Sequence, residues 1–198
     1  MEKEGRVDEN EKRVWRRERK KGRKRMGMEK TDKKTEEKDS NSEMAVTRVM
    51  KALSSNILLT GKVVKGFQRG SKLLGWPTAN LDPKAFHGKV DHLEEGVYFG
   101  YAKIESDEKV YKTALSIGWN PQFKNKEKTV EAYLVNEFPE DFYDEEMKLM
   151  ICGHVRAQAK FNSLDSLKDA IRADVDATVK ILDTKPYFDL READFFKK

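Results

Sequence analysis

The sequence predicts an all-β domain, an antiparallel barrel or sandwich, with one α-helix near the C-terminal end. Short runs of β-branched and aromatic residues follow one another from Ile57 onward, and turn-forming residues separate them. After Phe161 the spacing of apolar residues changes from two to three and four, which is the period of a helix. Several short strands in succession are typical of barrels and sandwiches.

Charge divides the chain into two parts. Of its 198 residues, 38% are charged and the net charge is +5, while residues 1–43 hold 16 Lys and Arg against 12 Asp and Glu. We predict a disordered extension over residues 1–43 and one folded domain over 44–198, because the first stretch has too few aliphatic residues to offset the entropy of ordering. RNA, anionic lipid or an import receptor are alternative ligands for the basic segment 13–25.

Composition also restricts the environment. Cys152 is the single cysteine, so no intrachain disulfide forms and we expect a small buried side chain in a reducing compartment. No apolar run reaches the length of a membrane span. We expect a cytoplasmic protein, with a mitochondrial pool as an alternative, that is monomeric and whose near-neutral domain binds no nucleic acid.

The strands are predicted from runs of alternating or continuous apolar residues between turn residues. The predicted strands cover residues 62–65, 96–104, 110–117, 129–135 and 148–161. In the fourth, alternation puts Thr129, Glu131 and Tyr133 on one face and Val130, Ala132 and Leu134 on the other.

The helix follows the last strand. Ser163 is a candidate N-cap, and Asp165 adds negative charge to the first turn, where the helix dipole favours it. An apolar stripe runs along one face through Leu164, Leu167, Ile171, Val175 and Val179. We predict that this stripe is core and that the helix covers an open side or end of the barrel.

A candidate binding loop precedes the second half of the domain. Gly66, Gly70 and Gly75 let the backbone turn tightly and bring its N–H groups close to a ligand, and Lys72 adds positive charge. This composition suits phosphate binding, although an ordinary surface turn has the same residues. The order Gly70-Ser71-Lys72 differs from that of a Walker loop.

Three oxygen-bearing residues complete the candidate site. Pro77 favours an extended backbone, in which Thr78 and Asn80 point to the same side and offer two hard oxygen ligands that suit Mg²⁺. Glu131 is a strand carboxylate, which is most often an ordinary residue of the solvent face. Its role depends on what lies beside it.

These motifs together resemble those of riboflavin kinases of the eukaryotic, single-function kind. The resemblance covers about residues 57–196. It is carried by Gly66 to Lys72, by the turn Pro77-Thr78-Ala79-Asn80, by Glu131 on a later strand, by Ser116-Ile117-Gly118-Trp119-Asn120-Pro121 and by Glu140-Asp141-Phe142-Tyr143.

The resemblance implies a six-stranded antiparallel Greek-key barrel with a C-terminal helix, which phosphorylates the ribityl 5′-hydroxyl of riboflavin with ATP to give FMN and ADP. By position, Glu131 is the implied general base, and Thr78 and Asn80 the implied ligands of Mg²⁺, with Zn²⁺ or Mn²⁺ as alternatives. The remaining implied residues are Gly66 and Lys72 at the phosphates, Leu134, Asn136 and Tyr143 at the nucleotide, and Arg156, Phe161 and Leu164 at the flavin.

Two other functions are possible for a barrel of this kind, namely nucleic-acid binding and flavin binding without catalysis. A nucleic-acid-binding barrel would use aromatic residues for base stacking, but the domain's near-neutral charge disfavours it. A flavin-binding barrel without catalysis would not need Thr78, Asn80 and Glu131 together.

Overall fold

The computed structural model describes residues 46–66, 74–119 and 128–197. In this part of the chain six antiparallel strands form a closed barrel, in the order β1, β2, β5, β4, β3 and β6. The strands are β1 (Lys51–Val64), β2 (Ala79–Leu81), β3 (Gly96–Ile104), β4 (Tyr111–Trp119), β5 (Lys128–Leu134) and β6 (Glu146–Ala157). Closure decides between the barrel and the sandwich that the sequence left open.

The connections have Greek-key topology. Strands β3, β4 and β5 pair in succession, and β6 then returns to pair with β3. The resulting spatial order of β6, β3, β4 and β5 is the Greek-key order. The six-stranded Greek-key barrel that the resemblance implies is therefore confirmed.

The accuracy of the predicted strand bounds differs between strands, and the last strand, predicted over 148–161, is Glu146–Ala157 in the structure. Strand β3 has the predicted bounds, 96–104. Strand β1 begins at Lys51, whereas the sequence predicted a start at residue 62. The prediction missed this part because residues 51–56 are mostly exposed and carry no alternating pattern. A register shift between Ala52 and Ile57 also interrupts the pairing of β1 with β6. Backbone hydrogen bonds to β6 define this half of β1, and sequence patterns do not report them.

Two hydrophobic clusters lie on opposite faces of the barrel wall. The larger fills the barrel and includes Tyr98, Leu115 and Leu149. The smaller lies outside, where Phe99 and Tyr101 pack against the C-terminal segment around Phe196. Strands β3 and β6 are therefore buried on both faces, which explains their nearly continuous apolar sequences.

Helix α1 (Leu164–Leu182) packs against β3, β4 and β6. The predicted N-cap is confirmed, since the Ser163 hydroxyl accepts a hydrogen bond from the Ser166 N–H at 3.1 Å. The helix lies on the outer wall, where Ala177, Ile181 and Leu182 join the outer cluster, and the prediction that it covers an open side or end is wrong.

The prediction that the apolar stripe of α1 is core is wrong. The fully buried row of the helix consists of Ala170, Asp174, Thr178 and Leu182. The stripe residues are only partly buried, and Leu164 is 66% exposed. Stripe residues Ile171 and Val175 directly follow the buried residues Ala170 and Asp174 in sequence, and they face a cavity that is described below.

Cys152 is fully buried in the outer cluster, as predicted. Burial raises the pKa of its thiol to about 12, so the group stays protonated at neutral pH. Within the described ranges, no helix is both long enough and apolar enough to cross a membrane.

Candidate active site

Strand β5 separates two cavities. Its residues alternate between buried and partly buried, as predicted, because the two faces of the strand meet different surroundings. Ala132 and Leu134 line one cavity, whereas Glu131 and Tyr133 line the other. The wall between the cavities is one strand thick at this point.

The first cavity, which we call the loop cavity, has a volume of about 500 Å³. It lies between β5 and the segment 136–143, and Leu134, Asn136 and Tyr143 line it together. Behind them the rings of Tyr111, Phe138 and Phe142 form an edge-to-face series, with centroids 5.2 and 4.9 Å apart. These aromatic contacts fix the segment to the barrel.

The second cavity, which we call the helix cavity, has a volume of about 270 Å³ and lies between the barrel wall and α1. Arg156 and Phe161 line it, whereas Leu164 does not. Its helix side is formed by part of the apolar stripe, namely Leu167, Ile171 and Val175. The stripe is therefore a cavity lining, which sequence analysis missed because core and cavity-lining residues have the same helical spacing.

Thr78 lines both cavities. Its hydroxyl Oγ1 donates a hydrogen bond to Glu131 Oε2 at 3.4 Å. The register of β2 on β5 explains this proximity, since Asn80 pairs with Glu131 and Ala79 with Ala132. The structure thus brings Thr78, Asn80 and Glu131 together, and of the three only Thr78 lines both cavities.

Gly66 lies against the side chain of Asn80. A Cβ atom at this glycine would lie 2.6 Å from Asn80 Cγ, so a larger residue there would displace the Asn80 side chain. Neither Gly66 nor Asn80 lines either cavity. The predicted phosphate-loop residue Lys72 lies outside the described residues.

The donor set suits a divalent metal only in part. Thr78 and Asn80 offer hydroxyl and amide oxygens, which are hard ligands of the type that Mg²⁺ accepts. Within residues 46–66, 74–119 and 128–197 there is no group of three or more His, Cys, Asp and Glu side chains that could hold a metal. These residues therefore fit an ion that takes its other ligands from a bound nucleotide and water.

A buried ion cluster, formed by Arg48, Arg156 and Asp174, borders the helix cavity. The Asp174 carboxylate accepts hydrogen bonds from Arg48 Nε at 2.8 Å and from Arg156 Nη2 at 2.7 Å. The Asp174 and Arg156 side chains are each 5% exposed. Sequence analysis selected only Arg156, because Arg48 lies 126 positions from its partner.

Tyr133 is another polar residue that lines the helix cavity. Burial, assisted by the negative charge of Glu137, raises the pKa of its phenol above the ordinary value of 10.0. The phenol is consequently neutral at physiological pH and can donate a hydrogen bond.

Together the fold and the site define a class of protein, a closed β-barrel with two cavities on opposite sides of one strand. The family model described as riboflavin kinase, or flavokinase, matches residues 53–182. That span is more than half of the chain.

Sequence and structure relatives agree with this match. The chain is 40% identical to a mouse riboflavin kinase over 137 residues, which cover 69% of this chain and 88% of the mouse protein. A riboflavin kinase crystal structure from Trypanosoma brucei matches with a TM-score of 0.59 and 29% identity, over 72% of this chain and 90% of that one. The chain therefore belongs to the riboflavin kinase family.

A further relative is longer than this chain. An Arabidopsis thaliana bifunctional riboflavin kinase/FMN phosphatase is 49% identical over 127 residues, but the match covers only 33% of its length. The similarity to that protein is confined to this one part.

Proposed function

We propose that this riboflavin kinase holds ATP in the loop cavity and riboflavin in the helix cavity, and that phosphate passes between them beside Thr78. The kinase activity is that of its family: riboflavin is phosphorylated to FMN, with ATP as co-substrate. One observation supports the two-cavity arrangement most directly. Thr78 lines both cavities and donates its hydroxyl hydrogen to Glu131, which lines the helix cavity.

The chemistry of the two cavities supports this assignment of substrates. The helix cavity has an apolar lining from α1 together with a few polar groups, a combination that suits a flat, largely aromatic ring system. The loop cavity is larger and is bordered by aromatic side chains and by Asn136, which suit a base and its hydrogen-bonding edge.

Glu131 acts as the general base in this proposal. Its carboxylate takes the proton from the ribityl 5′-hydroxyl of riboflavin while the hydroxyl oxygen bonds to the terminal phosphorus of ATP. The bond from that phosphorus to the bridging oxygen breaks, and ADP leaves with the electron pair. Transfer of this kind depends on position and charge more than on covalent chemistry, so a carboxylate on a rigid strand suits it.

Thr78 and Asn80 hold Mg²⁺ in this proposal, and the metal neutralises phosphate charge when it is bound. Both side chains are uncharged, so they bind the ion weakly before the nucleotide phosphates add negative charge. Gly66 supports the arrangement because its missing side chain leaves space for Asn80.

The Glu131→Gln variant tests the role of the base. Glutamine keeps the shape of the side chain but does not accept the hydroxyl proton at neutral pH. We expect kcat for FMN formation from riboflavin, ATP and Mg²⁺ to fall by about 10² to 10⁴, with both KM values nearly unchanged. FMN is separated by chromatography and measured by fluorescence.

Glu105→Gln is the matched control, because Glu105 is exposed in the turn that follows β3. It should keep the wild-type kcat. Retention of most of the wild-type kcat in the Glu131→Gln enzyme would remove Glu131 from the proton transfer. A fall in kcat in both variants would show that the loss is not specific to the site.

A further inference from the structure

The ion cluster joins three separate segments at the wall of the helix cavity. Arg48 precedes β1, Arg156 lies near the end of β6, and Asp174 lies in the middle of α1. Arg156 and Asp174 line the cavity, whereas Arg48 lies behind them and also donates from Nη2 to the Ala170 carbonyl at 2.9 Å. The cluster thereby fixes the helix side of the cavity to the barrel side.

The guanidinium of Arg156 is held rigidly. Its Nε and Nη2 both donate to Asp174, at 2.9 and 2.7 Å from Oδ2, and its Nη1 donates to the Ala157 carbonyl at 3.0 Å. It also lies 5.6 Å from the ring centroid of Phe161, which lines the same cavity. A guanidinium has five N–H groups, so two remain for a ligand once these three are engaged among the described residues.

Stability alone is a poor explanation for this cluster. Burial of an ion pair costs desolvation energy that roughly offsets the attraction, and apolar residues of similar size often replace such pairs without loss. The cluster holds two cations and one anion, and Glu131 places a further carboxylate on the same cavity wall. The two N–H groups that Arg156 keeps for a ligand are charged donors, which favour the electron-rich carbonyl oxygens of a bound ring over an apolar ligand.

We propose that Asp174 and Arg48 are positioning residues for riboflavin, because Asp174 holds Arg156 in the wall of the helix cavity and Arg48 acts through Asp174. The inference rests on the proposed function, since it takes the helix cavity as the riboflavin site. The inference adds two residues that lie away from the site of phosphate transfer. One of them, Arg48, precedes the first strand of the barrel.

The Asp174→Asn variant tests the inference in the full-length enzyme. Asparagine keeps the size of the side chain but removes the charge that holds both arginines. We expect the KM for riboflavin to rise about tenfold or more, because hydrogen bonds to charged groups are stronger than neutral ones, while the KM for ATP changes less than about twofold. Asp169→Asn is the matched control, since Asp169 is 75% exposed on the same helix and pairs only with Arg172 among the described residues.

Arg48 provides a second test that does not depend on the folding of the Asp174→Asn enzyme. Arg48→Met leaves the Arg156–Asp174 pair in place and should raise the riboflavin KM by a smaller factor, and Arg48→Lys should restore part of the loss. If Arg48 acts through Asp174, Arg48→Met should have no further effect on the riboflavin KM in the Asp174→Asn enzyme.

Three results separate the possible failures. An unchanged riboflavin KM in folded Asp174→Asn or Arg48→Met enzyme would overturn the inference, even if the melting temperature falls. Equal increases in both KM values would also overturn it. Ala114→Phe places a ring in the helix cavity and leaves Arg48, Arg156 and Asp174 unsubstituted, so a wild-type riboflavin KM in that variant would overturn the proposed function itself.

Discussion

The two cavities are built in different ways. The loop cavity is bordered on one side by the connecting segment 136–143, whose polar residues Asn136, Glu140 and Asp141 are exposed. The helix cavity lies between strands and α1, which buried ionic contacts join, and loop residues of 74–78 and 158–161 complete its lining. Segments of this first kind tolerate substitution better than packed elements do.

This difference predicts which substrate each class of mutation affects. Changes in the segment 136–143 should affect ATP binding and leave the barrel stable. Changes beneath α1 should affect riboflavin binding and often stability as well, because the same contacts hold the helix in place. Thr78 lines both cavities and donates a hydrogen bond to Glu131, so changes at these two residues should affect the transfer itself.

The Gly66→Ala variant should impair the use of ATP and leave riboflavin binding unchanged. The added Cβ would lie within 2.6 Å of Asn80 Cγ, so the Asn80 side chain must move from its position beside Glu131. We expect kcat/KM for ATP to fall roughly tenfold to a hundredfold, since misplacement by about 1 Å has effects of this size, with riboflavin binding unchanged in a fluorescence titration.

Gly118→Ala is the control for that experiment. A Cβ atom there would meet only Glu95 Oε2, at 3.4 Å, so the substitution adds the same methyl group without displacing Asn80. Weaker riboflavin binding in the Gly66→Ala enzyme would show that Gly66 serves both cavities.

The sequence predicted best those features that depend on neighbours along the chain. The bounds of β3, the Ser163 cap and the alternation of β5 follow from local patterns. The first half of β1 was missed because backbone pairing alone defines it. The role of Asp174 in the ion cluster was missed because it depends on contact with Arg48, which is 126 positions away.

The stripe of α1 teaches a related lesson. Apolar residues at helical spacing predicted a core face at the stripe, but the residues that are completely buried are Ala170, Asp174, Thr178 and Leu182. Two of these four are polar, so the apolar pattern alone does not identify the row. Spacing identifies an apolar face but does not distinguish contact with a core from contact with a cavity.

Substitution of His154 should have a smaller effect, on the pH dependence of stability, and should change neither KM. It packs against Tyr98 with ring centroids 5.0 Å apart, and its Nε2 is buried with no hydrogen-bond partner in the described part of the chain. Burial lowers the pKa of His154 below its ordinary value of 6.5, although the charge of Glu94 opposes the shift. The folded protein therefore binds this proton less readily than the unfolded chain does.

The sign of the pH effect follows from that difference. The stabilising contribution of neutral His154 is complete above pH 6.5 and is lost as the pH falls through the lowered folded pKa. Melting temperatures measured across this range should fall less steeply with acid in His154→Phe than in the wild type. His92→Phe, at an exposed histidine, should keep the wild-type slope; equal slopes in all three proteins would contradict the account.

The most direct test of the central claim, that each cavity holds one substrate, compares Tyr143→Ala with Ala114→Phe. Tyr143 lines only the loop cavity and Ala114 only the helix cavity. Steady-state kinetics of FMN formation should give a KM for ATP about tenfold higher in Tyr143→Ala, from the lost aromatic surface, with the riboflavin KM unchanged. Ala114→Phe should give the opposite result, a riboflavin KM about tenfold higher with the ATP KM unchanged. If both variants raise the same KM, or each raises the other substrate's KM, the two-cavity account is wrong.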